Sequence, residues 1–144
     1  MKPSPELVLN QAFAKLAMEV GPMLPAGYGQ GSVTTMAVLL LMAGQEFDRA
    51  ADIRAKENAA MRALFSEAAD AVRGALGDKL RAAATSKDDN LAITTLDRSN
   101  ATLKTTLIEL QSHAEEAGLQ ALRSRILRLL QTFATARQIF LPAI

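Results

Sequence analysis

The segment from Ser32 to about Thr85 constrains the fold most, because it contains no proline and has glycine only at positions 44, 74 and 77. Proline and glycine interrupt helices, so their scarcity predicts one very long helix over about 32–85, with its body at 33–85. A break near Gly74 to Gly77 is the main alternative. Apolar side chains at helical spacing form one stripe along the segment: Met36, Leu40, Ala43, Phe47, Ala50, Met61, Phe65, Ala68, Val72 and Leu76.

Shorter helices are expected before and after this segment. Ser4, Pro5 and Glu6 form a typical helix start, which predicts a helix over 4–20. Residues 21–32 contain four glycines and two prolines and are predicted to form a loop.

Two apolar repeats follow, over 89–117 and 119–141, and they differ in phase at Gly118. We expect a helix C-cap or a kink at Gly118, and we expect Pro142 to close the last helix. Asp88, Asp89 or Asn90 is expected to cap the helix over 89–117.

The composition agrees with these helices. Of the residues, 49% are hydrophobic, mostly Ala, Leu and Met, whereas aromatic residues make up 4%. We therefore predict an all-α fold, an up-down four-helix bundle that forms a single domain over residues 1–144. A helix over 33–85 would be roughly 80 Å long, more than a compact monomer of this size needs, and so we expect a homodimer.

Several functional classes are disfavoured. The chain has no cysteine and one histidine, His113, so we expect no cofactor, no metal site and no thiol or Glu-x-x-His chemistry. The formal net charge of +1 makes nucleic-acid binding unlikely as a main function. Residues 1–5 do not resemble a signal peptide and no apolar run is long enough to span a bilayer, so we expect a cytoplasmic protein without membrane contact.

The glycine-rich segment is the first candidate site. Gly27, Tyr28, Gly29, Gly31 and Ser32 lead directly into the long helix, where backbone amides and the helix dipole favour an anion. We include Arg54 as a possible further ligand of such an anion. The alternative is a flexible connection with Ser32 as the helix cap, because the strand of a dinucleotide fold and the lysine of a P-loop are missing.

A second candidate is a polar cluster in the core. Arg54, Glu57 and Asn58 interrupt the apolar stripe of the long helix, and Asn100 interrupts that of the next helix. If these four side chains meet in the core, they form a polar cluster that could hold a small anion or amide, because buried polar groups need partners. Alternatively, the stripe is locally exposed, or Asn100 fixes helix register.

The favoured function is a non-enzymatic helical interaction and oligomerisation module. Its dimer interface is predicted to comprise Met36, Val38, Leu41, Met42 and Phe47, since the segment from Val33 to Ala43 is apolar on all sides. Replacing Leu41 with a charged residue should then give a folded monomer. The alternative function is a small anionic-ligand-binding or enzyme-accessory protein that uses the glycine-rich segment.

The last helix is cationic. It contains Arg123, Arg125, Arg128 and Arg137, and no acidic residue follows position 116. An acidic protein partner could bind Arg125 and Arg128. A solvated helix face is the alternative.

Overall fold

The computed structural model describes residues 2–140, and all regular structure in that range is helical, which confirms the all-α class. A π-helical segment, Lys15–Val20, lies between the first two α-helices. The helices are α1 (Pro5–Ala14), α2 (Gly21–Met23), α3 (Tyr28–Ala68), α4 (Ala75–Thr85), α5 (Ile93–Glu116) and α6 (Gln120–Ala136).

The connection before the long helix is shorter than predicted. Between α2 and α3 only residues 24–27 lie outside helices, whereas the sequence predicted a loop over 21–32. Pro22 lies in the first turn of α2, where a missing backbone N–H costs little. Gly29 and Gly31 lie in the first turn of α3, so their low helix propensity does not prevent the helix from forming.

The long helix is interrupted where the alternative interpretation placed a break. Helix α3 ends at Ala68 and α4 begins at Ala75, so a single helix over 33–85 does not form. Gly77 is buried in the first turn of α4, and a Cβ atom at this position would lie 2.1 Å from the backbone oxygen of Val72. The close return of the chain after α3 therefore requires glycine at position 77.

Replacing Gly77 with alanine should lower the free energy of unfolding by about 1–3 kcal/mol, because the added methyl group must displace the Val72 carbonyl. Urea denaturation measures this loss. Gly29→Ala is the matched control, since a Cβ at position 29 meets nothing within 4 Å. The control should be neutral or slightly stabilising, and equal stability of the two variants would contradict the packing described here.

The chain divides into two compact units. The single domain over 1–144 that the sequence suggested stays a prediction. The first unit comprises residues up to Ala50 together with the segment that begins at Ile139. Its core is formed by Phe13, Ala37 and Leu41, which pack α1 against α3. The Gln45 side chain also holds Phe140, donating to its carbonyl at 2.6 Å and accepting from its N–H at 2.9 Å.

The second unit, Ala51–Gln138, contains the rest of α3 with α4, α5 and α6. Arg62 contacts Ser86 and Arg81 contacts the Ala69 carbonyl, so α4 runs antiparallel to α3. Helix α6 is also antiparallel to α3, because Glu57 pairs with Arg137 and Glu67 pairs with Arg125. The four segments thus form an up-down bundle whose core includes Met61, Phe65, Val72, Leu80, Leu103, Leu107, Leu110, Ile126 and Phe133.

The turn between α5 and α6 has the predicted cap. Gly118 has φ +65°, a left-handed conformation that favours glycine, and Leu119 N–H donates to the Ala114 carbonyl at 2.8 Å. Helix α5 begins at Ile93 instead of 89, since Asp88 bonds to Arg62 and the side chain of Asn90 accepts from Ala92 N–H. Helix α6 ends at Ala136 instead of 141, and Pro142 lies outside the described residues.

Candidate functional site

The first unit carries an exposed apolar surface on α3, which we call the outer face. Its members are large apolar side chains with 37–58% of their surface exposed: Met36, Val38, Leu39, Met42 and Phe47. Four of these residues belong to the predicted interface, and Leu39 is an addition. Leu41 does not belong to this surface, because it is buried against Phe13 in the core of the unit.

The position of Leu39 shows why the outer face has no partner within its unit. Leu39 is two residues from both Ala37 and Leu41, which places it about 160° around the helix from each. Since Ala37 and Leu41 are buried against α1, Leu39 lies on the opposite side of α3. One apolar side of α3 is therefore buried against α1, while a second apolar side is exposed to solvent.

The sequence around four of the five outer-face residues contains no charge. No Asp, Glu, Lys or Arg occurs between Glu19 and Glu46, a range that covers the first 18 residues of α3. Exposed helix positions usually carry charged or long polar side chains. Two polar side chains of this stretch bind the backbone of their own helix: the hydroxyls of Thr34 and Thr35 donate to the Gln30 and Gly31 carbonyls at 3.0 and 2.9 Å.

The predicted glycine-rich ligand site takes a different form in the structure. Tyr28 is 93% exposed, and it lines a shallow groove on α3 together with Gly31, Ser32, Met36 and Leu39. Gly29 lies in the same helical turn, and Gly27 just before it. The segment thus adjoins the outer face. Arg54 lies in the second unit, where its Nε donates to Asp97 at 2.5 Å.

The second unit contains the predicted polar cluster. Asn100 is buried, and its amide nitrogen lies 2.9 Å from both Glu57 Oε2 and Asn58 Oδ1. The Asn58 amide in turn donates to the Leu96 carbonyl and to Asp88 Oδ1, both at 3.2 Å. Three of the four predicted members therefore meet, whereas Arg54 pairs with Asp97 instead.

Glu57 is the charged centre of this network. Its side chain is 2% exposed and accepts hydrogen bonds from Arg137 at 2.6 and 2.8 Å, with Lys104 at 3.5 Å. Burial raises the pKa of Glu57. Hydrogen bonds from Arg137 and Asn100 and the charges of Lys104 and Arg137 lower it by more, so the pKa lies below its usual 4.5. Glu57 is therefore a buried, charged and well-partnered carboxylate.

Asp88 extends the network to the connection between α4 and α5. Arg62 binds it through two hydrogen bonds of 2.8 and 2.9 Å, and Arg62 Nε donates to Ser86 Oγ at 3.1 Å. The Arg62 hydrogen bonds are the main reason that the pKa of Asp88 lies below its usual 3.8; burial opposes them, and Ser99 and Asn58 add to the lowering. The groups of the network thus satisfy one another and join α3, α5, α6 and the α4–α5 connection.

The cationic helix is partly neutralised within the second unit. Arg125 pairs with Glu67 and Arg123 lies 4.0 Å from Glu115. Arg137 serves the network through Glu57. Of the two predicted contacts for an acidic partner, Arg125 therefore already has an acidic neighbour on α3.

No protein-family model, curated protein or solved structure matches the chain. Within residues 2–140, no helix is both long and apolar enough to cross a membrane, and no group of three or more potential metal-ligating side chains occurs. The observations that bear on function are therefore the outer face, the polar network and the cavities around them.

Proposed function

We propose that this chain is a non-enzymatic helical interaction module that forms a homodimer through the outer face of α3. The observation that carries the proposal is the exposure of five large apolar side chains on α3, four of them on a helical stretch without charges. Contiguous apolar surface of this kind typically marks a protein contact. Burial of each large apolar side chain contributes on the order of 1.5–3 kcal/mol.

The partner that suits this surface best is a second copy of the chain. A two-fold dimer places the same surface on both sides of the interface, so a charge near the axis would lie close to its like-charged copy. Met36, Val38, Leu39 and Met42 avoid this repulsion because no charged residue occurs between Glu19 and Glu46. Gly31, Ser32 and Thr35 are small residues beside Met36 and Leu39, and they would allow two helices to approach closely.

Cysteine alkylation tests this proposal on a clean background, since the chain has no cysteine. A Leu39→Cys variant places a thiol in the outer face, and an Ala59→Cys variant places one on an exposed position of α3 in the second unit. Alkylation of the Leu39→Cys thiol should slow as protein concentration rises, because the dimer covers it. The Ala59→Cys thiol should react at the same rate throughout.

Equal concentration dependence of the two thiols would overturn the proposal. Neutral phosphatidylcholine vesicles provide a further arm at low protein concentration. Protection of the Leu39→Cys thiol by vesicles alone, with no effect of protein concentration, would assign the outer face to a lipid surface and would also overturn self-association.

A further inference from the structure

A cavity in the second unit has the composition of an anion site. It lies between α4 and α5, encloses about 410 Å³ and is bordered by Arg62, Lys79, Lys87 and Arg98. No aspartate or glutamate lines it. Its volume is within the range of small-molecule sites, about 300–1,000 Å³.

Two of the four cations already have acidic partners. Arg62 is bound by Asp88, and Lys79 lies 2.5 Å from Glu109. The side chains of Lys87 and Arg98 form no ion pair within residues 2–140. Asp97, the sequence neighbour of Arg98, forms its ion pair with Arg54. The cavity therefore has two positive charges that no acidic side chain within residues 2–140 neutralises through an ion pair.

The rest of the lining consists of one held side chain on one side and apolar side chains that form the floor. The guanidinium of Arg62 is held in place by hydrogen bonds to both Asp88 and Ser86. Ala82, Ala83 and Leu103 line the floor, and Leu103 belongs to the core of the bundle. A ligand that fits must combine a negative group with an apolar or aromatic body.

We propose that this cavity binds a small organic phosphate, with its phosphate group between Lys87 and Arg98 and its body over Ala82, Ala83 and Leu103. A phosphate monoester carries a charge of about −1.5 to −2 at neutral pH, which matches the two unneutralised cations. The proposal is independent of self-association, since the cavity lies in the second unit and the outer face in the first.

Titration of the ¹⁵N-labelled full chain with adenosine 5′-monophosphate, followed by NMR, tests the site. The amides of Lys87, Arg98, Ser99 and Thr102 should shift in a saturable way. Adenosine, which lacks the phosphate, should cause no such shifts. A double variant, Lys87→Gln with Arg98→Gln, should weaken binding at least about tenfold, because each charge-assisted hydrogen bond contributes about that much or more.

The matched control is Lys2→Gln with Arg73→Gln, which removes the same charge from exposed positions that do not line the cavity. This control should bind adenosine 5′-monophosphate as the unmodified chain does. The proposal is overturned if millimolar adenosine 5′-monophosphate leaves these amides unmoved, if adenosine shifts them equally, or if both double variants bind with the same affinity.

Discussion

Leu39→Glu should convert the proposed dimer into a folded monomer. Leu39 is 58% exposed within the chain, so the substitution leaves the core of the first unit intact. In the dimer, by contrast, the carboxylate would be buried against an uncharged apolar surface without a partner. We expect the dissociation constant to rise at least about 100-fold, which corresponds to roughly 2.7 kcal/mol. Light scattering coupled to size-exclusion chromatography gives the mass, and circular dichroism reports whether the helices persist.

Ala59→Glu is the matched control, because it adds the same charge to an exposed position of α3 that lies in the second unit, outside the outer face. That variant should remain dimeric. A Leu39→Glu protein that dimerises as tightly as the unmodified chain would reject the outer face as the interface. Leu41 cannot serve for this test, since it is 5% exposed and packs against Phe13, so a charge there would unfold the first unit.

Replacing Glu57 with alanine should lower the free energy of unfolding by about 1–3 kcal/mol. The substitution removes the buried carboxylate that accepts hydrogen bonds from the guanidinium of Arg137 and from the amide of Asn100. Glu109→Ala is the control, because Glu109 pairs with Lys79 at a half-exposed site and should cost less than about 1 kcal/mol. Chemical denaturation measures both values, and a similar small loss in the two variants would show that the network does not stabilise the fold.

Acid should weaken the same network in the unmodified chain. The pKa values of Glu57 and Asp88 are lowered in the folded state, so the unfolded chain binds more protons at low pH. Their stabilising contribution is therefore complete above the unfolded pKa values and is lost as the pH falls through the lower, folded ones. Below about pH 4.5, a Glu57→Gln variant should lose less stability than the unmodified chain does.

Some features were predictable from sequence because they depend on local chemistry. Ser4 accepts from Leu7 N–H at 3.3 Å ahead of Pro5, as the helix-start pattern requires. Gly118 marks the turn where the apolar phase shifts. The contact of Asn100 with Glu57 and Asn58 agrees with the sequence pattern, because polar residues that interrupt two facing apolar stripes need polar partners in the core.

Other features depend on tertiary contacts that no local pattern encodes. The ion pair of Arg62 with Asp88 joins residues 26 positions apart, so helical spacing gives no sign of it. The end of α3 at Ala68 follows from the return of the chain onto itself, which places the Val72 carbonyl against Gly77. Leu41 was assigned to the interface because it lies off the main apolar stripe, and the sequence did not show which side of α3 would face α1.

Sedimentation equilibrium of the unmodified full chain at micromolar concentration tests self-association most directly. We predict a mass of twice the 15.4 kDa chain, falling toward the monomer value only on dilution. A mass of 15.4 kDa at every concentration would contradict the proposal that the outer face of α3 joins two copies of this protein.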